Sequence, residues 1–309
     1  MTDSSSNPGI SPTGAPRKVL LATDLSARGD RALERAIAVA RRHDAQLTIV
    51  HAFEDFQDST LTYGQPAAPS WRRPPDAVAM MKQRILQGLR ADLGDVIEKA
   101  RIVVEEGDPA EVVERIAVAE QVDLVVTGVA REALFARRPV ILGKTVEQLL
   151  RRLSIPILIV RNRVRSDYER IVVTTDFSGP SGYALQLALS FFSTETLHLL
   201  HVSEAPYPAL APDANRHAEN FREIHAAELE DFLSSIFLPA EDRKRIVPLV
   251  EPGSPRQIVR EFAQLHGVDL VVLGTHGRGA LLEALLGSGA KSILSTLPCD
   301  ALVVRGPGQ

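Results

Sequence analysis

The sequence predicts an α/β protein made of two tandem units, each a five-stranded parallel sheet doubly wound by helices. Two observations carry the prediction. Short apolar runs with strand character alternate with stretches of helical spacing, the pattern of successive βαβ units with right-handed crossovers. The same succession of landmarks then occurs twice, once from Arg17 to Arg161 and again from Glu169 to Arg305, which is an internal duplication.

The elements pair off in order. Lys18 to Ser26 (KVLLATDLS) answers Arg170 to Ser178 (RIVVTTDFS), an apolar strand that ends in Thr-Asp-x-Ser. Each runs into a helical stretch, marked by Ala32, Leu33, Ala36, Ile37 and Ala40 in the first unit and by Ala184, Leu185, Leu187 and Ala188 in the second. Ser26 and Ser178 stand where N-caps belong. Second strands follow at Leu47–Ala52 and Leu197–Val202, each closing on a His and a small apolar residue. Third strands, Ile102–Val104 and Val247–Val250, lead to Gly107-Asp-Pro109 and Gly253-Ser-Pro255. The fourth strands are Val122–Gly128 and Val268–Gly274, and the fifth are Ile157–Val160 and Ala301–Val304. The offset between copies shrinks from 152 residues at Asp24/Asp176 to 144 at Ile157/Ala301, a drift that small insertions explain. The Pro-rich loops after the second strands, 54–75 and 204–217, are long enough to act as lids.

These landmarks divide the chain into a disordered tail at 1–16, a first domain at 17–161, a linker at 162–168 and a second domain at 169–309. The tail is rich in Ser, Pro and Gly and lacks the basic start and apolar stretch of a signal peptide. No apolar run is long enough to span a bilayer. A net charge of −4 gives no general attraction to nucleic acid or anionic lipid. The lone cysteine, Cys299, excludes an intramolecular disulfide and a multi-cysteine metal site, and fits a reducing cytoplasm.

The second domain carries the chemistry. Gly274 and Gly277, followed by Gly287 and Ser288, space backbone donors as a phosphate cradle requires, directly after a buried strand. Glycine lets the backbone approach a bulky anion, and N–H groups at a helix start favour negative charge. Open α/β sheets bind ligands at such strand ends.

With these residues the chain resembles the universal stress proteins, in a tandem form covering nearly everything from Arg17 to Arg305. Their ATP signature, Gly-x2-Gly-x9-Gly-(Ser/Thr), is matched by Gly274, Gly277, Gly287 and Ser288. The resemblance implies a strand order of 3-2-1-4-5 in each sheet and pairing of domains through their fifth strands, which a tandem chain can satisfy internally. It also implies ATP as ligand, with or without Mg²⁺. Asp176 would hold the ribose hydroxyls, Val202 would meet adenine through its backbone, and Thr174 and Leu273 would wall the pocket. The two glycine loops, with Ser288 and Gly289, would hold the phosphates, and Arg278 beside Gly277 reads either as a phosphate contact or as a solvent-facing loop residue. His276 is equally open. Gly289 stands where the family often has Val, a change that keeps the N–H.

The first domain departs from this pattern. Arg131 replaces the second glycine, eleven residues rather than nine precede Gly143, and Lys144 replaces the Ser/Thr. Its site is expected to be degenerate. Gly143-Lys144-Thr145 is not a Walker A loop, because Arg138 occupies the first glycine position.

Other residues have plainer readings. Asp24 is either a ribose ligand or a helix-start carboxylate. His51 and His201 lack companion ligands at metal spacing, which favours strand-end packing or a backbone hydrogen bond over a metal or catalytic role. Cys299 reads as a buried small hydrophobe. Arg151, Arg152, Arg161, Arg163 and Arg165 read as a solvated linker region without the aromatics of a nucleic-acid surface. No general base or paired-carboxylate metal site is evident, so an ATP-binding regulatory protein is favoured over a slow ATPase or autophosphorylating enzyme, and over an ATP-independent scaffold. A homodimer remains possible through free fifth-strand edges.

Overall fold

Val19, Leu20 and Leu21 are each at most 1% exposed, so the first strand is buried on both faces, as a central parallel strand must be. In the computed structural model, described over residues 14–26, 29–53, 77–93, 99–129, 142–194, 196–203, 214–275 and 288–306, the elements repeat as the landmarks do. The first half runs β1 (Lys18–Ala22), α1 (Gly29–His43), β2 (Gln46–Phe53), α2 (Ala77–Leu93), β3 (Arg101–Glu106), α3 (Pro109–Ala119), β4 (Leu124–Gly128), α4 (Lys144–Arg152) and β5 (Ile157–Val160). The second runs β6 (Ile171–Thr175), α5 (Gly179–Phe191), β7 (Leu197–Ser203), α6 (Ala214–Ser235), α7 (Ala240–Lys244), β8 (Ile246–Pro252), α8 (Pro255–Leu265), β9 (Leu270–Thr275), α9 (Ser288–Leu294) and β10 (Asp300–Arg305).

The order within each half is 3-2-1-4-5, and the two five-stranded sheets join into one sheet of ten, β3-β2-β1-β4-β5-β10-β9-β6-β7-β8. The join is antiparallel, pairing Ile159 with Ala301, Leu158 with Leu302 and Ile157 with Val303. All other strand pairs are parallel. An unpaired β5 or β10 would expose a row of apolar side chains and unmade backbone bonds, and each edge covers the other.

Alternate residues feed two cores. Val19 and Leu21 belong to one core with residues of α1 and α5 and with Leu229 and Phe232 of α6. Leu20 and Ala22 belong to the other, with residues of α3, α4, α8 and α9. Each core draws residues from both halves, so the duplication folds as one packed body. Burial of a Leu or Ile in these layers is worth roughly 1.5–3 kcal/mol.

Local signals set the helix starts. Asp108 caps α3 by accepting from the N–H groups of Ala110 and Glu111 at 3.0 and 3.1 Å, with Pro109 in the first turn. Ser178 caps α5 through Ser181 N. Gly107 and Gly253 sit at φ of 143° and 140°, a conformation that side chains avoid, which explains the repeated Gly-x-Pro. The tail and the 54–75 loop lie outside the described residues but for 14–16, and of the 204–217 loop, residues 214–217 form the start of α6.

The linker is not simply solvated. Arg161 is 6% exposed, because its guanidinium donates to Leu297 O and its N–H donates to Asp300. Tyr168 is also 6% exposed and anchors the chain as it enters β6. Arg152 is held by Glu111 and Glu114 of α3, whereas Arg163 and Arg165 are exposed.

Candidate functional site

Thr-Asp-x-Ser builds the same turn at the carboxyl end of β1 and of β6. Thr175 Oγ1 accepts from Phe177 N at 3.0 Å, and Asp176 Oδ1 accepts from both the N–H and the hydroxyl of Ser178. Thr23 Oγ1 accepts from Leu25 N at 3.0 Å, and Asp24 Oδ1 accepts from Ser26 N at 3.0 Å and Ser26 Oγ at 2.7 Å. The residue between Asp and Ser is left-handed in each copy, with φ of 57° at Leu25 and 63° at Phe177. Such a conformation costs a non-glycine residue about 1–2 kcal/mol, offset in the second half by packing of the Phe177 ring against His201 at 4.1 Å. The turn aims the Asp carboxylate outward at the mouth of the strand-end crevice, where Asp24 and Asp176 are both exposed.

The paired histidines buttress this turn. His51 Nδ1 lies 2.9 Å from Thr23 O, and His201 Nδ1 lies 2.9 Å from Thr175 O. A carbonyl only accepts, so Nδ1 carries the proton in each ring. His201 is 7% exposed and its Nε2 has no hydrogen-bond partner among the described residues. Burial lowers its pKa below the ordinary imidazole value, against the opposing bond to Thr175. Among the described residues there is no group of three or more His, Cys, Asp or Glu side chains that could hold a metal ion.

Three of the predicted contacts converge on adjacent strands. Thr174 of β6 lies in register with Leu273 of β9 and with Leu200 of β7, and Val202 follows near the end of β7. The crevice between β6 and β9 is where successive crossovers leave for opposite faces, the position at which open α/β sheets bind ligands. Thr174 and Val202 are half-buried, and Leu273 is 2% exposed in the core beneath them. Ser288 and Gly289 open α9. Gly277, Arg278 and Gly287, together with His276, lie outside the described residues.

Gly274 has a reason beyond phosphate approach. A Cβ there would stand 2.8 Å from Ser181 Cα and 2.9 Å from Pro180 O and Ser181 N, all backbone atoms of α5. The glycine lets the end of β9 touch the first turn of the helix that follows Asp176. It therefore fixes the relative position of the two loops that would grip a ligand.

The first half contains a cavity of ≈ 160 Å³ at the same place. Asp24, Ala52, Thr127, Gly128, Gly143 and Lys144 line it, the positions that answer Asp176, Val202, Leu273, Gly274, Gly287 and Ser288. Gly143 caps α4 without a side-chain bond, leaving the first N–H groups of that helix facing the cavity mouth. Arg131 and Arg138 lie outside the described residues.

Cys299 is 1% exposed, and burial pushes its thiol up to about 12. It packs as a small apolar side chain.

The profile of the universal stress protein family matches the chain twice, at residues 16–161 and 167–305. The chain belongs to the universal stress protein family. It is a tandem member, two copies in one chain. Over 144 residues it is 30% identical to universal stress protein MJ0531 of Methanocaldococcus jannaschii, spanning 45% of this chain and 84% of that relative. Over 311 residues it is 23% identical to universal stress protein E of Photorhabdus laumondii, spanning 94% of this chain and 96% of the relative. The crystal structure of a universal stress protein from Archaeoglobus fulgidus aligns with a TM-score of 0.65 at 19% identity, covering 94% of this chain and 98% of that one. At that identity the likeness speaks to the tandem fold alone.

Proposed function

We propose that this universal stress protein binds ATP in its second half, with or without Mg²⁺, and acts as a regulator whose nucleotide occupancy controls conformation or partner binding. The observation that carries the reading is the register of Thr174 with Leu273 across the β6–β9 crevice, with Asp176 following β6, Gly274 near the end of β9 and Val202 near the end of the adjacent β7, and with Gly277, Gly287 and Ser288 following in the sequence. Asp176 holds its turn through Oδ1, and a carboxylate is an acceptor-only group suited to ribose hydroxyls. Val202 offers backbone groups to adenine, Thr174 and Leu273 supply walls, and Ser288 and Gly289 bring the start of α9 to the phosphates with Arg278 close by in sequence.

Binding rather than turnover fits the groups available. Asp176 is engaged in its turn, and the buried neutral His201 is committed to Thr175 O, so neither is placed as a base for an attacking water. Regulation then requires two arrangements of the chain that differ in ATP affinity. The β5–β10 pair satisfies both fifth-strand edges inside one chain, which favours a monomer over a fifth-strand dimer.

The test is to purify the protein without added nucleotide, release bound small molecules with acid and count them per chain. About one ATP per chain, lost in an Asp176→Asn, Ser288→Ala double variant, supports a single second-half site. Recovered ADP, with turnover abolished by the same changes, would replace regulation by slow hydrolysis. No retained nucleotide and no calorimetric signal with ATP and Mg²⁺ would overturn the reading.

A further inference from the structure

A cavity of ≈ 190 Å³ lies between α1 and α2 in the first half, on the opposite face of the sheet from the cavity that Asp24 lines. Leu25, Leu33, Ile49, Ile85 and Leu89 form its apolar wall, and Asp30, in the first turn of α1, stands at its rim. Asp30 and Gly88 are exposed, so the cavity opens to solvent between the two helices. We infer that this cavity is a ligand site of its own, shaped for a single aromatic ring that carries a hydroxyl group, a phenol.

The duplication shows what fills such a space. At an offset of 152 residues Leu25 answers Phe177, Asp30 answers Gly182 and Leu33 answers Leu185. In the second half the Phe177 ring stacks on His201 with centroids 4.1 Å apart and lies 5.7 Å from the ring of Phe232 on α6. A Cβ at Gly182 would stand 3.0 Å from Ile236 Cδ1 and 3.6 Å from Phe232 Cζ, so the end of α6 reaches the first turn of α5. The second half thus closes this position with its own aromatic rings. The first half has leucine in place of Phe177, and α2 carries Gly88, whose Cβ would meet nothing within 4 Å. An apolar hollow left in this way costs stability until something fills it.

Size and chemistry select the occupant. An apolar cavity of about 150 Å³ walled by Leu, Ile and Phe stays dry and takes up benzene, so ≈ 190 Å³ has room for one ring and a small substituent. The five aliphatic side chains give a ring dispersion contacts and a dry surface, and offer nothing to a charge. The Asp30 side chain makes no ion pair or hydrogen bond among the described residues, and a carboxylate only accepts. A hydroxyl on the ring therefore has a partner at the rim, whereas a carboxylate on the ring is repelled there. The ring enters the wall formed by α1, α2 and β2 while the hydroxyl stays paired, so no polar group is buried without a bond.

The test titrates 4-methylphenol into the full chain, labelled with ¹³C at its Ile and Leu methyls, and follows the thermal midpoint in parallel. Saturable shifts at the Ile49, Ile85 and Leu89 methyls are expected, with a rise in the midpoint, as a ligand specific to the folded state must confer. Leu25→Phe installs the ring that the second half already has, in a turn where Leu25 and Phe177 share a left-handed φ of 57° and 63°. It is expected to weaken binding about tenfold or more and to raise the ligand-free midpoint. Gly88→Leu closes the mouth from α2 with a residue that favours the helix, and is expected to weaken binding to the same extent with the fold intact. Asp30→Asn is expected to weaken 4-methylphenol about fivefold and to leave toluene unaffected. No saturable shift in the wild-type chain, undiminished affinity in either cavity-filling variant, equal 4-methylphenol affinity in Asp30→Asn, or benzoate binding as tightly as 4-methylphenol would each overturn the inference.

Discussion

The Tyr168 hydroxyl donates to Asp300 Oδ2 at 2.6 Å, joining the linker to the first residue of β10, next to the antiparallel join. Asp300 is 1% exposed, yet every part of its carboxylate is engaged. Oδ1 accepts from the N–H groups of Arg161 and Asn162 at 2.8 and 3.0 Å, and Arg35 Nε lies 3.8 Å from Oδ2 while its guanidinium covers the Tyr168 ring at 4.0 Å. Burial, with Asp300 beside it, pushes the Tyr168 phenol well above its ordinary value, so the hydroxyl stays a donor. One carboxylate thus ties α1, the end of the first half, the linker and the second half's edge strand. Asp300→Ala leaves the buried Arg35 without its carboxylate and the buried Arg161 N–H without its acceptor, and is expected to cost about 3–5 kcal/mol. Tyr168→Phe removes a single bond and is expected to cost about 1–2 kcal/mol. Urea unfolding measures both, and an Asp300→Ala chain as stable as wild type would remove Asp300 from this role.

Gly274 separates a packing role from a ligand role. If its absent Cβ served only phosphate approach, Gly274→Ala would leave the nucleotide-free chain unchanged. The atoms that a Cβ would strike belong to the α5 backbone, at 2.8–2.9 Å, and backbone yields less readily than a side-chain tip. Overpacking of this kind costs about 1–3 kcal/mol. The substitution is therefore expected to lower the thermal midpoint before any ATP is added, and an unshifted midpoint in nucleotide-free protein would contradict the packing account.

His201 makes stability depend on pH. Phe177 stacks on its ring, Thr175 O accepts a hydrogen bond from its Nδ1–H, and His225, Glu228 and Asp176 are its titratable neighbours. Burial is the largest influence and lowers its pKa, and His225 acts the same way. The Thr175 carbonyl, Glu228 and Asp176 act against them. A lowered pKa means that the unfolded chain takes up the proton first, near 6.5. The stabilisation is complete above that value and is lost as pH falls from it towards the folded-state pKa. His43 and His198 are lowered too and add to the same slope. Unfolding free energy measured from pH 8 to about 5 should be flat above about pH 7 and decline below it. His201→Gln should make the decline shallower, and an unchanged slope would assign it to the other histidines.

Much of the fold was readable because its signals are local and doubled. KVLLATDLS and RIVVTTDFS declare a buried strand, a turn and a cap within nine residues, and the structure builds the same turn twice. The histidines were readable as backbone partners because no second ligand stood at metal spacing. Legibility failed where a residue's fate depends on a distant partner. Arg161 and Tyr168 belong to a stretch that looks basic and polar, and only the arrival of Asp300, more than a hundred residues later, buries them. Gly274 was read as a ligand contact because its neighbours in sequence suggest one. The Pro180–Ser181 backbone that also requires a glycine there comes from another element.

The two Asp residues allow a direct comparison between halves. Asp24 and Asp176 make the same turn, so a substitution that destroys the turn would confuse folding with binding. Asn retains an oxygen that can accept from the following Ser N–H and hydroxyl, and so keeps the turn while replacing the second carboxylate oxygen by a donor. Asp176→Asn is expected to leave the thermal midpoint close to wild type and to weaken ATP about tenfold, the loss of one charge-assisted bond to a ribose hydroxyl. Asp24→Asn should leave ATP affinity unchanged, because the first half has Arg131 in place of the second glycine and Lys144 in place of the Ser/Thr. Calorimetry on nucleotide-free protein distinguishes the cases. If Asp24→Asn weakens ATP as much as Asp176→Asn does, the nucleotide occupies both halves and the asymmetry argued from Arg131 and Lys144 is wrong.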